Sequence, residues 1–587
     1  MLNQIIDSIY KNYGNTLEDV ILDNYVPTDG TYIIVKPDKN NDLKEFYRTD
    51  ILFDKNKKDV DRSIEYFKLI CKMDYNSRLV DMNKPIDPKK IIQSNNYLSF
   101  FVKKESFKND DKTGKSKLNE ERIDAYYEVL KNPFNKYSKK KAAEIYKEVE
   151  KDIGEVDLEK LLKIKEWINN NIFDLDLNLK QKNYLKVFFL VDEEDFRREG
   201  KRYLAPNIYN NNDYNLKTKK GIVGLPNDNM GLNSKKPYLE NKTRCVTTPY
   251  LINQSKVLKQ KKVFDYLFNL ASKRKFNIYL NDFEIKALSD GEILADEFQG
   301  FYIRLKKGKE AEIHDFDVIS EYSPYLKKKF NFQNILDIES EILYKGKKDK
   351  DKWKYEVIKK KKELQELINI IFFNRLLITN YFTEDVPIKE VNLKRALLMS
   401  RNQLFNWFHK GDSTCVWQSL NKAMRLCLKN SLGNRYFYKA INQFNLIYSL
   451  KEYFEGGEEK MADILMGIRT ELKEKILEDK EDYIKNDREY FYAVGQLTSY
   501  LLGKSKGKNK PLSLANPIIN AKSDLILKKK IFQLYMKYNY DLDLDLDARF
   551  KRLYTMVCGY EVEGDIKGDF ITAGYLSKKI IYEKKES

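Results

Sequence analysis

From about Trp353 to the C-terminus, apolar residues recur at helical spacing and never return to the two-residue alternation of a strand. Helices are expected near 353–375, 391–409, 416–431, 435–454, 461–480, 486–502, 518–539 and 546–558. Before that point the pattern is mixed. Residues 31–35 form a short β-rich run after the turn dipeptide Asp29-Gly30, and 97–102 and 184–191 also read as strands. The run 184–191 is apolar almost throughout and should be buried on both faces. Helical spacing appears over 63–70, 119–131, 138–151, 157–170 and 255–273, and 301–313 reads as a β-hairpin with a basic tip. An Asn-rich stretch, about 193–221, lacks periodicity and reads as a long connection. The expected class is α+β: a mixed α/β body over 1–352, a helical connecting region over 353–460 and a C-terminal helical bundle over 461–587.

The 587 residues exceed what one core organises, and 42% hydrophobic with 33% charged residues is a globular balance. The formal charge of +18 favours polyanionic partners, although abundant Lys, Asn, Ile and Tyr also fit A/T-rich codons. Cys71, Cys245, Cys415, Cys427 and Cys558 form no CxxC pair, so neither a disulfide framework nor a structural zinc is expected. The chain reads as cytoplasmic and reduced, with no signal peptide at its start and no apolar run long enough to span a bilayer. His314 and His409 are its only histidines, too few and too far apart for histidine-dependent nucleases or zinc hydrolases.

Other motifs resolve towards structure. Gly114-Lys115-Ser116 and Gly503-Lys504-Ser505 lack the earlier glycine of a phosphate-binding loop, since Asn109 and Thr498 stand in its place. Asp541, Asp543, Asp545 and Asp547 alternate with leucines, but Leu546 occupies the position where a calcium loop needs glycine. Asp547 is expected to cap a helix beginning at Ala548. The run Lys359-Lys360-Lys361-Lys362 reads as a solvated helical turn. Lys504, Lys506, Lys508 and Lys510 lie in a Gly/Ser/Asn-containing link where ammonium groups can meet phosphates, with Arg549 and Arg552 as further candidates for phosphate contact.

Residues 224–244 form the most suggestive loop. They are rich in Gly, Asn and Pro, and basic in their second half. Asn and Lys can read base edges, and Gly224 and Gly231 permit close backbone approach. The same composition fits an ordinary surface loop.

Residues 229–240 (Asn229-Met230-Gly231-Leu232-Asn233-Ser234-Lys235-Lys236-Pro237-Tyr238-Leu239-Glu240), with Lys242, Thr243 and Arg244, carry a resemblance. A second match runs from Tyr492-Ala493-Val494-Gly495-Gln496-Leu497 through Tyr500-Leu501-Leu502-Gly503-Lys504-Ser505-Lys506. In these motifs and in overall layout the chain resembles the large subunit of the type I-B CRISPR Cascade complex, the Csh-type family. Some relatives carry paired cysteines near the first motif; only Cys245 stands here, so no zinc site is carried over.

The resemblance implies a non-catalytic protein without a cofactor or metal. Its partners would be guide crRNA, target double-stranded DNA, the Cascade backbone, guide-5′-handle-binding and small subunits, and a CRISPR helicase-nuclease, with no membrane. It would recognise the protospacer-adjacent motif, aid R-loop formation and recruit the helicase-nuclease. On that reading Asn227, Asn229, Asn233, Lys235 and Lys236 read the motif, and Lys242 and Arg244 hold phosphates.

Gly456-Gly457-Glu458-Glu459-Lys460 must be encoded by purine-rich codons a few bases before the ATG of Met461, which resembles a bacterial ribosome-binding site. An internal start at Met461 would yield 461–587 as a separate small subunit; a Gly-Gly turn between helices explains the same residues. The alternative functional reading is a metal-dependent nuclease or other nucleic-acid-processing CRISPR subunit, with Asp315, Asp317 or the 541–547 carboxylates as its only hints. A third reading is a basic structural protein whose charge comes from codon usage alone.

Overall fold

The computed structural model describes the chain except residues 1, 55, 57, 58, 110–115, 138, 139, 191, 220, 228–242, 244, 246, 247, 249, 309, 310, 339–354, 435, 458, 478–482, 506–511, 543 and 584–587. The chain forms two compact units: Met1–Ser289 with Gly300–Val318, and Asp290–Gln299 with Ile319–Ser587. Their boundaries differ from those expected at 352/353 and 460/461. The connecting helices and the C-terminal helices belong to one unit, because they pack on each other.

The first unit is built on β1 (Gly30–Pro37), β2 (Leu43–Ile51), β3 (Ser99–Lys103) and β4 (Tyr184–Phe189). Their order is β2-β1-β4-β3, with β1 and β4 parallel and both outer pairs antiparallel. Tyr32 to Val35 and Leu185 to Phe189 are buried, as the apolar runs require. Around this sheet lie α1 (Leu2–Tyr13), α2 (Leu17–Asp23), α3 (Phe67–Ser77), α4 (Glu120–Lys131), α5 (Pro133–Lys136), α6 (Lys140–Ile153), α7 (Leu158–Asn171), α8 (Glu193–Asn207) and α9 (Gln254–Ser272). The rest of the strands before residue 323 are β5 (Leu216–Thr218), β6 (Gly221–Gly224), β7 (Ile252–Asn253), β8 (Asn277–Leu280), β9 (Ile285–Leu288), β10 (Phe298–Lys307) and β11 (Ala311–Tyr322). β5-β6-β7 form a small sheet, and β11-β10-β8-β9 a second four-stranded one.

Helix α8 corrects the sequence reading, which left 193–221 as one connection. Asp192 caps it by accepting from the Glu194 amide, and acidic residues fill its first turn. Its inward stripe is Phe196, Glu199, Arg202 and Tyr203, all buried. The Glu199–Arg202 ion pair occupies two places where a hydrophobic pattern would put apolar residues, so the period is hidden.

The second unit holds β12 (Tyr325–Asn331), paired antiparallel with β13 (Val357–Lys360), and then only helices. These are α10 (Lys361–Ile371), α11 (Val391–Phe405), α12 (Val416–Gly433), α13 (Phe437–Glu455), α14 (Met461–Leu477), α15 (Asp487–Gly503), α16 (Asn516–Ile519), α17 (Asp524–Tyr538), α18 (Leu544–Gly559) and α19 (Gly568–Leu576). From α11 onward the expected helices stand close to their expected bounds. Helix α17 starts later than expected because Ser523 caps it. Helix α18 starts earlier, at Leu544, which puts Asp547 inside its first turn and not at the cap. Among the described residues no helix is long and apolar enough to cross a membrane.

The four-lysine run is not a helical turn. Lys359 and Lys360 end β13, and Lys361 opens α10 with its side chain buried, the ammonium 4.4 Å from the Tyr322 ring centroid. Burial lowers the Lys361 pKa to about 8 from 10.5. The native state then binds fewer protons than the unfolded chain between those values, so Lys361 costs stability below that window and the cost fades as pH rises through it. Replacing it with Met is expected to stabilise the protein by about 2 kcal/mol at pH 7. Denaturant titrations at pH 7 and pH 10 should show that gain shrinking at the higher pH.

Candidate nucleic-acid interface

The strands on either side of the Asn/Lys-rich segment meet at one place. β6 pairs with β7 with Gly224 opposite Ile252 and Val223 opposite Asn253, so the excursion between them begins and ends on one rung of a ladder. The departing strand is also fastened on its other side. Tyr209 pairs with Pro226, the Asn210 amide donates to the Leu225 carbonyl at 2.8 Å, and the Asn227 amide donates to the Ile208 carbonyl at 2.7 Å. The Tyr209 ring is buried beneath the ladder, its hydroxyl 3.2 Å from the carbonyl oxygens of both Ile222 and Ile252. Burial raises its pKa, so it stays a neutral donor. Lys84 on the far side donates to the Tyr209 carbonyl.

Gly224 is required at this crossing. A Cβ there would sit 2.6 Å from Cδ1 of Tyr209, against a ring that cannot retreat. Asn227 is 1% exposed, and its amide nitrogen donates to Asp81 at 3.3 Å. It therefore anchors the loop, whereas the sequence reading made it a reader of base edges. The other six candidates there, Asn229, Asn233, Lys235, Lys236, Lys242 and Arg244, lie outside the described residues.

The second set of basic candidates separates in the same way. Lys504 follows α15 half-buried, its ammonium 5.2 Å from the Tyr500 ring centroid. Lys506, Lys508 and Lys510 lie outside the described residues. Arg549 donates to the carbonyls of Ile581 and Glu583 at 3.1 and 2.8 Å, and Arg552 to that of Ile476 at 3.3 Å. Both guanidiniums thus stitch α18 to the C-terminal tail and to the last turn of α14, where carbonyls are partly negative.

A buried charge network in the first unit escaped the sequence reading. Lys186, in the middle of apolar β4, places its ammonium 2.6 Å from Asp74 of α3, which also accepts from the Tyr25 hydroxyl at 3.0 Å. Beside it Asp265 of α9 is paired with Arg78, with Lys261 at 2.6 Å, and with the Tyr75 hydroxyl at 2.7 Å. Burial lowers the Lys186 pKa, opposed by Asp74. Burial pushes the Asp265 carboxyl up, yet Arg78 and Lys261 hold it below its ordinary value. Two carboxylates face three cations, with Asp265 shared by Arg78 and Lys261, and the network ties α3 and α9 to this unit's core. The one available signal was a lysine inside an otherwise apolar strand.

Asp315 and Asp317 alternate along β11, and each accepts from the next backbone amide at 2.9 Å. Among the described residues no group of three or more His, Cys, Asp or Glu stands so as to hold a metal ion. The chain matches no known family model, no curated protein and no solved structure.

Proposed function

We propose that the chain is the non-catalytic large subunit of an RNA-guided type I-B CRISPR surveillance complex, in which residues 228–244 recognise the motif beside a DNA target. The observation that carries this reading is the clamp. The Asn-, Gly- and Lys-rich segment is flanked by a ladder rung, and the chain leading into it is held by Tyr209, Asn210 and Asn227, so its base is fixed. A fixed base cuts the entropy lost when such a segment docks. The surplus of 18 positive charges supports a polyanionic partner. Guide RNA would supply sequence recognition by base pairing.

Asn229 and Lys236 are the residues chosen for test. With guide complex assembled, Asn229→Ala and Lys236→Ala should each weaken binding about tenfold on a duplex bearing the correct flanking motif. Binding to motif-free duplex should stay unchanged. Equal losses on both duplexes in a gel-shift titration would remove the assignment.

Met461 is proposed as an internal start of translation. Gly456 and Gly457 have φ of +69° and +132°, so they make a turn that favours glycine, and Met461 opens α14 directly after it. The turn and the start codon are compatible uses of the same stretch. Silent recoding of the Gly456–Glu459 codons with Met461→Leu should abolish a separate small-subunit band; its persistence would end the idea.

A further inference from the structure

We propose that the outer face of α17 is a docking site for an acidic amphipathic helix of a partner protein. The helix is packed on the bundle through Leu527, Ile531 and Tyr538, which are buried. Its opposite face carries Leu525 at 80%, Phe532 at 52% and Met536 at 56% exposure. These three follow one another seven and four residues apart, so they share one stripe about 16 Å long. Isolated exposed apolar side chains are ordinary; three large ones aligned on one helix mark a binding surface.

The ionisable residues interleaved with this stripe select the partner. Lys529 is exposed beside the stripe, and Lys537 is exposed further round the helix on the same side. Asp524, the acid at the start of the helix, is turned inward, accepting from the Tyr490 hydroxyl and paired with Lys528 at 3.0 Å. The face is therefore apolar with a positive rim. A second copy of the same face would set lysine against lysine. A nucleic-acid strand would satisfy the lysines but leave Leu525 and Met536 without a use, because stacking needs rings. An amphipathic helix with apolar residues at i, i+4 and i+7 and flanking carboxylates satisfies both. This inference is independent of the reading of residues 228–244.

The test is fluorescence anisotropy of the full chain with a labelled three-heptad peptide carrying Leu on one face and Glu on the other. The control peptide has Lys in place of every Glu. The acidic peptide should bind and the lysine peptide should not, and the Phe532→Ser/Met536→Ser double variant should weaken binding about tenfold or more. Both substituted side chains are exposed, so the fold is retained and circular dichroism should be unchanged. Equal binding of the two peptides, or unchanged binding by the variant, overturns the proposal. So does an affinity for oligothymidylate, for phosphatidylserine-containing vesicles or for the chain itself that the variant loses. Those results would make the face a strand platform, a membrane face or a self-association face, respectively.

Discussion

Gly495→Val is expected to destabilise the helical unit by about 3 kcal/mol or more. Helices α15 and α19 cross with almost no space between their backbones. A Cβ on Gly495 would lie 2.7 Å from the amide nitrogen of Tyr575, and one on Gly574 would meet the Tyr492 backbone carbon at 3.0 Å. Neither neighbour is a side chain that can swing away. The crossing is also sealed by Gln496, whose amide nitrogen donates to the Gly574 carbonyl at 2.6 Å and whose oxygen accepts from the Ile580 amide at 3.0 Å. A valine must push the helices apart, which breaks those bonds and loosens the packing of Tyr492 and Leu497. Thermal melting should show the loss, and hydrogen exchange should locate it in α15 and α19. A melting temperature equal to that of the unsubstituted protein would refute this close crossing.

Asp74→Ala is expected to cost about 3–5 kcal/mol, because it strands the buried Lys186 ammonium without its carboxylate. The Lys186 side chain is only 6% exposed, and that of Asp74 is inaccessible. The penalty is one of desolvation more than of a lost attraction, which the double substitution Asp74→Leu/Lys186→Met exposes. Removing both charges should restore most of the stability. Denaturant unfolding of the two single variants and the double variant decides it: additive losses would contradict a coupled buried pair.

Where the apolar period was unbroken, the helices could be read directly, as in α11 to α15. Where a charged pair within one helix took two neighbouring places in the stripe, they could not. Helix α8 hides behind Glu199–Arg202, and β4 conceals Lys186 because its partner, Asp74, lies 112 residues away. No local pattern announces a pairing of that separation. The four lysines at 359–362 failed for a related reason: β12 recruits the first two into a strand pair, and a short run carries no sign of its partner.

The candidate site was legible as composition and not as role. Asn227, read as a base contact, is an anchor, and Arg549 and Arg552, read as phosphate contacts, hold backbone carbonyls. The second stretch carrying the family resemblance, 492–506, is mostly interior. Tyr492, Gly495 and Gln496 are spent on the α15–α19 crossing, so that motif reports packing.

The most direct test of the proposed recognition is a selection of duplexes from a library randomised beside a fixed guide-complementary target. The assembled complex carries either the natural chain or a chain with 228–242 replaced by a Gly/Ser segment on the same ladder. The natural chain should enrich a short flanking motif, and the replacement should bind the library without enrichment while its melting temperature holds. The same motif enriched by both chains would contradict recognition through this loop.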